Sequence, residues 1–244
     1  MRNVVLAILT VGGGLGILGL SVAERPEVVI ADYATAIEGR MESQAHNAKL
    51  CLTKLEGIVI KPGETLSFNK VIGSWSRDQG YRRAPVSYGG TLIDSWGGGV
   101  CQTSTTLYNA ALLAGLDVEE RHRHHFAPSY VPPGRDAAVA YPNIDLKIRN
   151  PYDFPVTIST KTTVTSIRVA FVGRGTPRDD ISIRQRVTQL SKPNEYRIGA
   201  GPHGRVRNPG KPGYEVETLR VVNGQQEILS YDHYPVMHRV VEFR

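Results

Sequence analysis

The succession of hydrophobic periods along this 244-residue chain predicts an α+β fold. Two stretches repeat at helical spacing, strand-like runs stand between and after them, and the closing strands follow one another without intervening helices. The 25 Gly and 15 Pro supply frequent turns. Together they suggest a mostly antiparallel sheet packed with a Cys-headed helix and an N-terminal helix, followed by a small β-rich C-terminal segment.

From Val4 to Ala23 no residue is charged, and Met1-Arg2-Asn3 supplies a short positive start. This is the pattern of an export segment, and Ser21 and Ala23 before Glu24-Arg25-Pro26 suit cleavage after Ala23. The run also reaches the roughly 20 residues that span a bilayer, so residues 1–23 read as a signal peptide or an N-terminal membrane anchor. The remainder is then expected to work outside the cytoplasm, meeting a membrane only through an uncleaved N-terminal segment. The net charge of +6 is not organised for nucleic acid, because no stretch joins clustered Lys/Arg to stacking aromatics. An anionic envelope polymer is the better match.

Ala45, Ala48, Leu52 and Leu55 form one helical stripe, with Ser43 as a cap and Gly57 as a stop. Cys51 lies beside that stripe and reads as a small core hydrophobe. Ile58-Val59-Ile60, a Pro62-Gly63 turn and Thr65-Leu66-Ser67-Phe68 read as two strands with a tight connection. Gly73 to Gly90, with Trp75, Tyr81 and Tyr88, is turn-rich: a binding loop or an irregular cover for the core.

Gly97-Gly98-Gly99 allows a turn that side chains would obstruct, and Leu107, Ala110, Ala111 and Ala114 then share one helix face. Cys101 therefore stands at a helix entrance, where free N–H groups and the dipole favour a thiolate. Chemistry and structure remain alternatives for it, including a disulfide with Cys51. Three histidines follow in Glu120-Arg121-His122-Arg123-His124-His125. On a strand His122 and His124 would share a face and His125 would not, so no metal is assigned; nor is a cofactor implied. One of them could instead serve Cys101 as its base. Pro132-Pro133-Gly134 reads as a turn and Arg135 to Val139 as a strand. Ile144, Leu146 and Ile148 alternate with Asp145, Lys147 and Arg149, placing Asp145 on the polar face. Asp136 or Asp145 could orient the histidine, with Asp136 preferred for its place after a turn. Pro155 to Thr160 and Ser166 to Val172 read as a hairpin, and Tyr214 to Arg220 with Gln226 to Ser230 as a terminal strand pair.

Several of these residues carry a resemblance. Phe68-Asn69 with Gly73 and Gly80-Tyr81, Gly98-Gly99-Val100-Cys101-Gln102 with Ser104-Thr105-Thr106-Leu107-Tyr108, Glu120-Arg121 with His124, Tyr130-Val131-Pro132 with Gly134-Arg135-Asp136-Ala137, and Asp145-Leu146-Lys147 with Asn150 resemble the VanW family from about Asn47 to Val172. The resemblance implies a bacterial, extracytoplasmic protein of the cell envelope and supplies no settled reaction. It places Cys101, His124, Asp136 and Asp145 in a shared pattern, from which His125 departs. The order of Cys at a helix start, His and Asp is also similar to transglutaminase-like and papain-like enzymes, an analogy of arrangement. Gly210 to Val240 faintly resembles the small G5-type β modules that accompany the family. The expected division is 1–23 export segment, 24–172 VanW-like α+β domain and 173–244 β-rich segment.

Two functions follow. In the first, Cys101 attacks an amide of a peptidoglycan peptide, His124 exchanges protons, Asp136 or Asp145 holds the imidazole, and Gln102 or a backbone N–H meets the oxyanion. In the second, the cleft binds peptidoglycan or another envelope polymer without turning it over. Gly98, Gly99, Trp96, Tyr108, Tyr130 and Arg135 are the expected binding residues.

Overall fold

The structure, a computed structural model, describes residues 26–88, 91–178 and 180–244; the expected export segment 1–23 lies outside them. Among the described residues three α-helices, α1 (Glu42–Leu55), α2 (Phe68–Ile72) and α3 (Val100–Leu113), are set among mostly antiparallel strands, an α+β fold.

A four-stranded antiparallel sheet runs in the order Val28–Ala36, Ser166–Gly173, Val156–Thr162 and Val59–Ile60. Alternation places Ile167, Val169 and Phe171, with Val156 and Ile158, on the face that α1 and α3 cover. Ala48, Cys51, Leu52 and Leu55 of α1 pack there with Leu107, Ala110 and Ala111 of α3. α1 begins one residue before Ser43, after Met41, and has no side-chain cap.

Val59–Ile60 and Thr65–Ser67 belong to different sheets: the first pairs with residues 156–157 and the second with Lys147–Arg149. Lys147–Arg149 pairs in turn with Asp117–Glu120. The turn-rich stretch before the glycines contains a strand, Arg83–Tyr88, paired with Thr91–Trp96. Arg135 to Val139 forms no regular strand; its ladder contact is a bridge from Ala138 to His122. Beyond Gly173, Ile181–Ser191, Gly213–Val222 and Gln225–Tyr234 make one antiparallel sheet. Met237–Phe243 pairs parallel with Glu195–Ile198 and antiparallel with Gly204–Lys211.

α3 differs most from its amphipathic expectation. Every residue of it except Cys101 and Leu113 is buried, including Gln102, Thr103, Ser104, Thr105, Thr106 and Asn109. Buried hydroxyls and amides need partners, and these find them in the segments wrapped around the helix. Ser104 and Thr105 donate to the Ala137 carbonyl, the Ala137 N–H donates to Thr105, and Asn109 donates to the Arg135 carbonyl. The helix thus grips the irregular chain on both sides of Asp136.

Candidate active site

The glycine run fixes the entrance to α3. Gly99 has φ +111°, and a Cβ there would lie 2.2 Å from the Gln44 carbonyl oxygen of α1. At Gly98 a Cβ would lie 2.8 Å from both the Ala84 side chain and the Pro85 carbonyl oxygen, and Asn47 donates to the Gly98 carbonyl at 2.9 Å. Only backbone fits between α1 and the strand Arg83–Tyr88, so Cys101 enters the first turn of α3 at a fixed place.

Both cysteines are free thiols. Cys51 is fully buried, and loss of hydration pushes its thiol well above the ordinary range. Cys101 is partly exposed to a cleft, with Sγ 3.4 Å from the Val139 carbonyl oxygen. His124 borders the same cleft as Cys101 and hydrogen-bonds to Asp136: its Nδ1 is 2.6 Å from Oδ2, and its backbone N–H donates to the same oxygen at 2.7 Å. With Nδ1 given to the carboxylate, Nε2 is the ring nitrogen left for sulfur.

Asp136 is completely buried, so its charge requires compensation. Arg121 Nη2 donates to Oδ1 at 3.1 Å, the Tyr234 hydroxyl donates to the same oxygen, and His124 occupies Oδ2. Arg121 is itself clamped by both oxygens of Asp232, at 2.6 and 2.8 Å. Burial works against the ionised Asp136, but the His124 and Arg121 contacts prevail and hold it down at about 2. Burial likewise opposes a charged His124, yet its hydrogen bond to Asp136 and the neighbouring Cys101 sulfur raise it to about 10. For Cys101, desolvation opposes ionisation, while the hydrogen bond and positive charge of His124 lower the thiol below its ordinary value. The opposed directions favour a thiolate–imidazolium pair anchored on a buried carboxylate.

The other expected residues divide. Gly98, Gly99 and Tyr130 line the cleft, which has a volume of about 210 Å³, and the Tyr130 hydroxyl donates to the Cys101 carbonyl at 3.3 Å. Gln102 also borders it, but its Nε2 donates to the Ala36 carbonyl at 2.7 Å and to Thr35 Oγ1 at 3.1 Å, so that amide is occupied. Asp145 does not stand on a polar surface and does not approach His124. It is buried, accepting from Ser67 Oγ and the backbone N–H groups of Asn69 and Leu146, and it ties α2 to the strand Lys147–Arg149. Among the described residues, Trp96, Tyr108 and Arg135 are not part of the cleft lining. Trp96 ends the strand Thr91–Trp96. Tyr108 is buried beneath the Arg121 guanidinium, and Arg135 is turned to Asn109 and the Tyr33 ring. His124 and Asp136 lie on irregular chain rather than on strands. The neighbouring histidines diverge, His122 to Glu120 and His125 to the Phe126 ring.

Sequence reading missed Arg121 and Tyr234 around Asp136, and Arg40 and Lys211 in the cleft lining. Arg121 carried a signal: a charged residue three positions before His124 must find a countercharge if the segment is buried. Tyr234 and Lys211 come from the distant C-terminal strands and carry no local one.

The family model described as VanW like protein matches residues 43–172. Over 132 residues the chain is 39% identical to the uncharacterized protein YoaR of Bacillus subtilis, covering 54% of this chain and 44% of that protein. Over 117 residues it is 34% identical to the vancomycin B-type resistance protein VanW of Enterococcus faecalis, covering 46% of this chain and 42% of that one. The chain thus spans less than half the length of these curated relatives. No solved structure matches it.

Proposed function

The chain belongs to the VanW family, and on that premise we propose that it is an extracytoplasmic cysteine-dependent amide hydrolase or acyl transferase acting on peptidoglycan peptides. The observation that carries this reading is the line from buried Asp136 through His124 to the thiol of Cys101 at a helix entrance. The uncharged segment Val4 to Ala23 supports the location, and the relative named for vancomycin resistance supports a place in envelope chemistry.

In this mechanism the Cys101 thiolate attacks the amide carbonyl carbon, and the carbonyl π electrons move to oxygen. The Cys101 backbone N–H suits that oxyanion better than Gln102: among the described residues no main-chain acceptor meets it, whereas Val100 and Gln102 donate to Gly97 and Gly99. Imidazolium His124 gives its Nε2 proton to the departing amine as the C–N bond breaks, leaving a thioester on Cys101. Water, or an acceptor amine, then loses a proton to His124 as it attacks the thioester, and the thiolate leaves. Asp136 stays ionised throughout and holds the Nδ1 proton, fixing the tautomer.

The test is incubation of purified protein with peptidoglycan-derived peptides, followed by liquid chromatography and mass spectrometry. Cleaved or transferred peptides are expected with the parent chain and not with Cys101→Ala. Unchanged peptides with both proteins, together with equal binding, would make the cleft a binding site without chemistry.

A further inference from the structure

The cleft beside Cys101 has an unbalanced charge. Its described lining includes Arg40 and Lys211 and no Asp or Glu. The Arg40 guanidinium lies over the Tyr130 ring, 4.9 Å from its centroid, and Lys211 Nζ donates to the Ala127 carbonyl at 3.4 Å. Neither forms an ion pair with a carboxylate among the described residues. Two cations that share a partly desolvated cavity repel each other unless an anion joins them. Lys211 carries the mark of this: burial first, and the positive charge of Arg40 second, hold its ammonium below the ordinary lysine value.

The two residues come from separate parts of the chain. Arg40 lies between the strand Val28–Ala36 and α1, while Lys211 ends the strand Gly204–Lys211 in the C-terminal segment. Both border the same cavity as Cys101 and His124, whose own charges are internally matched through Asp136. The unmatched pair is therefore available to a ligand. The aromatic face of Tyr130 and the side chains of Val86, Phe126 and Pro128 give the same cleft an apolar wall, suited to the body of a peptide.

We propose that Arg40 and Lys211 form a carboxylate-binding subsite, so that the peptide presented to Cys101 carries a carboxylate, terminal or side-chain, next to the amide that is attacked. This rests on the cysteine reading of the site and deepens it: the substrate class becomes acidic peptides, and the C-terminal strands complete the substrate cleft. A planar guanidinium and an ammonium together can hold both oxygens of a carboxylate by charge-assisted hydrogen bonds.

Paired alkylation of the full chain separates charge recognition from thiol reactivity. Iodoacetate and iodoacetamide deliver similar carbon centres to Cys101, but only the first bears a carboxylate. Any change in thiolate content alters both rates alike, and their ratio isolates the subsite. The double variant Arg40→Gln/Lys211→Gln is expected to lower the iodoacetate-to-iodoacetamide ratio on the order of tenfold, about the effect of one charge-assisted hydrogen bond. Lys161→Gln/Lys192→Gln, which removes the same net charge at exposed positions, is expected to leave the ratio near that of the parent. Equal ratios in the parent and the Arg40/Lys211 variant, or an equal fall in the control, would overturn the proposal. If neither reagent modifies Cys101, the nucleophile reading fails by itself. Calorimetric binding of N-acetylglycine against N-acetylglycinamide then decides the subsite: a preference for the acid that the double variant loses upholds it, and no preference overturns it.

Discussion

Replacing Asp136 by Asn should uncouple Cys101 from its activation while leaving most of the local scaffold in place. The carboxylate accepts from the His124 backbone and ring, from Arg121 and from Tyr234, and Arg121 retains both bonds to Asp232 when the charge is removed. The rise of His124 from 6.5 to about 10 corresponds to about 5 kcal/mol in favour of the imidazolium, shared between Asp136 and the thiolate. Without the carboxylate, burial dominates and drives His124 toward neutrality, so the thiol loses its cationic partner. A thiol near its ordinary value of about 8.5 is only a few per cent ionised at pH 7, which sets a fall of up to about thirtyfold in the rate of iodoacetamide alkylation, the limit reached when the parent thiol is fully ionised. Intact-mass measurement of Cys101 alkylation at pH 7 reads this directly, with buried Cys51 expected to stay unmodified in the folded protein. Near-ultraviolet circular dichroism verifies that the variant is folded. Alkylation at the parent rate in folded Asp136→Asn would refute the proposed activation of the thiol.

Asp145→Asn should have the opposite profile: a loss of about 1 to 3 kcal/mol in chemical denaturation, because charge-assisted bonds from Ser67, Asn69 and Leu146 weaken, with Cys101 alkylation unchanged. Gly99→Ala should cost about 2 kcal/mol or more and slow alkylation, since the new Cβ meets the Gln44 carbonyl in a left-handed conformation; denaturation midpoints and alkylation rates check both parts. Stability should also report the His124–Asp136 contact. The raised His124 value makes its contribution complete below about 6.5 and lost as pH rises through about 10. The depressed Asp136 value makes its contribution complete above about 3.8 and lost as pH falls through about 2. The difference in melting temperature between the parent and Asp136→Asn should therefore be widest from about pH 4 to 6.5 and narrow on both sides, as read by calorimetry across pH.

The α+β class and the Cys-headed helix were legible because both rest on local signals: a hydrophobic period and a glycine run. The buried threonines and serines of α3 were not. Their sequence reads as one apolar face and one polar face, and only the surrounding chain turns the polar face into a set of hydrogen-bonded clamps. Asp145 misled for a related reason: alternation assigned it to the polar side, but Ser67 and Asn69, far away in sequence, provide donors that make its burial tolerable. His124 and Asp136 were both expected on strands. They instead occupy irregular backbone, with the carboxylate of Asp136 taking the His124 N–H that a ladder would otherwise use. Lys211 and Tyr234 reach the site from the C-terminal strands, and no local pattern announces a contact made across the fold.

If Cys101 is the nucleophile, it forms a covalent acyl intermediate, which mass spectrometry of protein quenched in acid during reaction with peptidoglycan-derived peptides detects. The expected result is an added mass equal to an acyl fragment of the peptide, located on Cys101, removed by hydroxylamine and missing from Cys101→Ala. Peptide turnover that persists in Cys101→Ala, or an acyl group found on another residue, would contradict it.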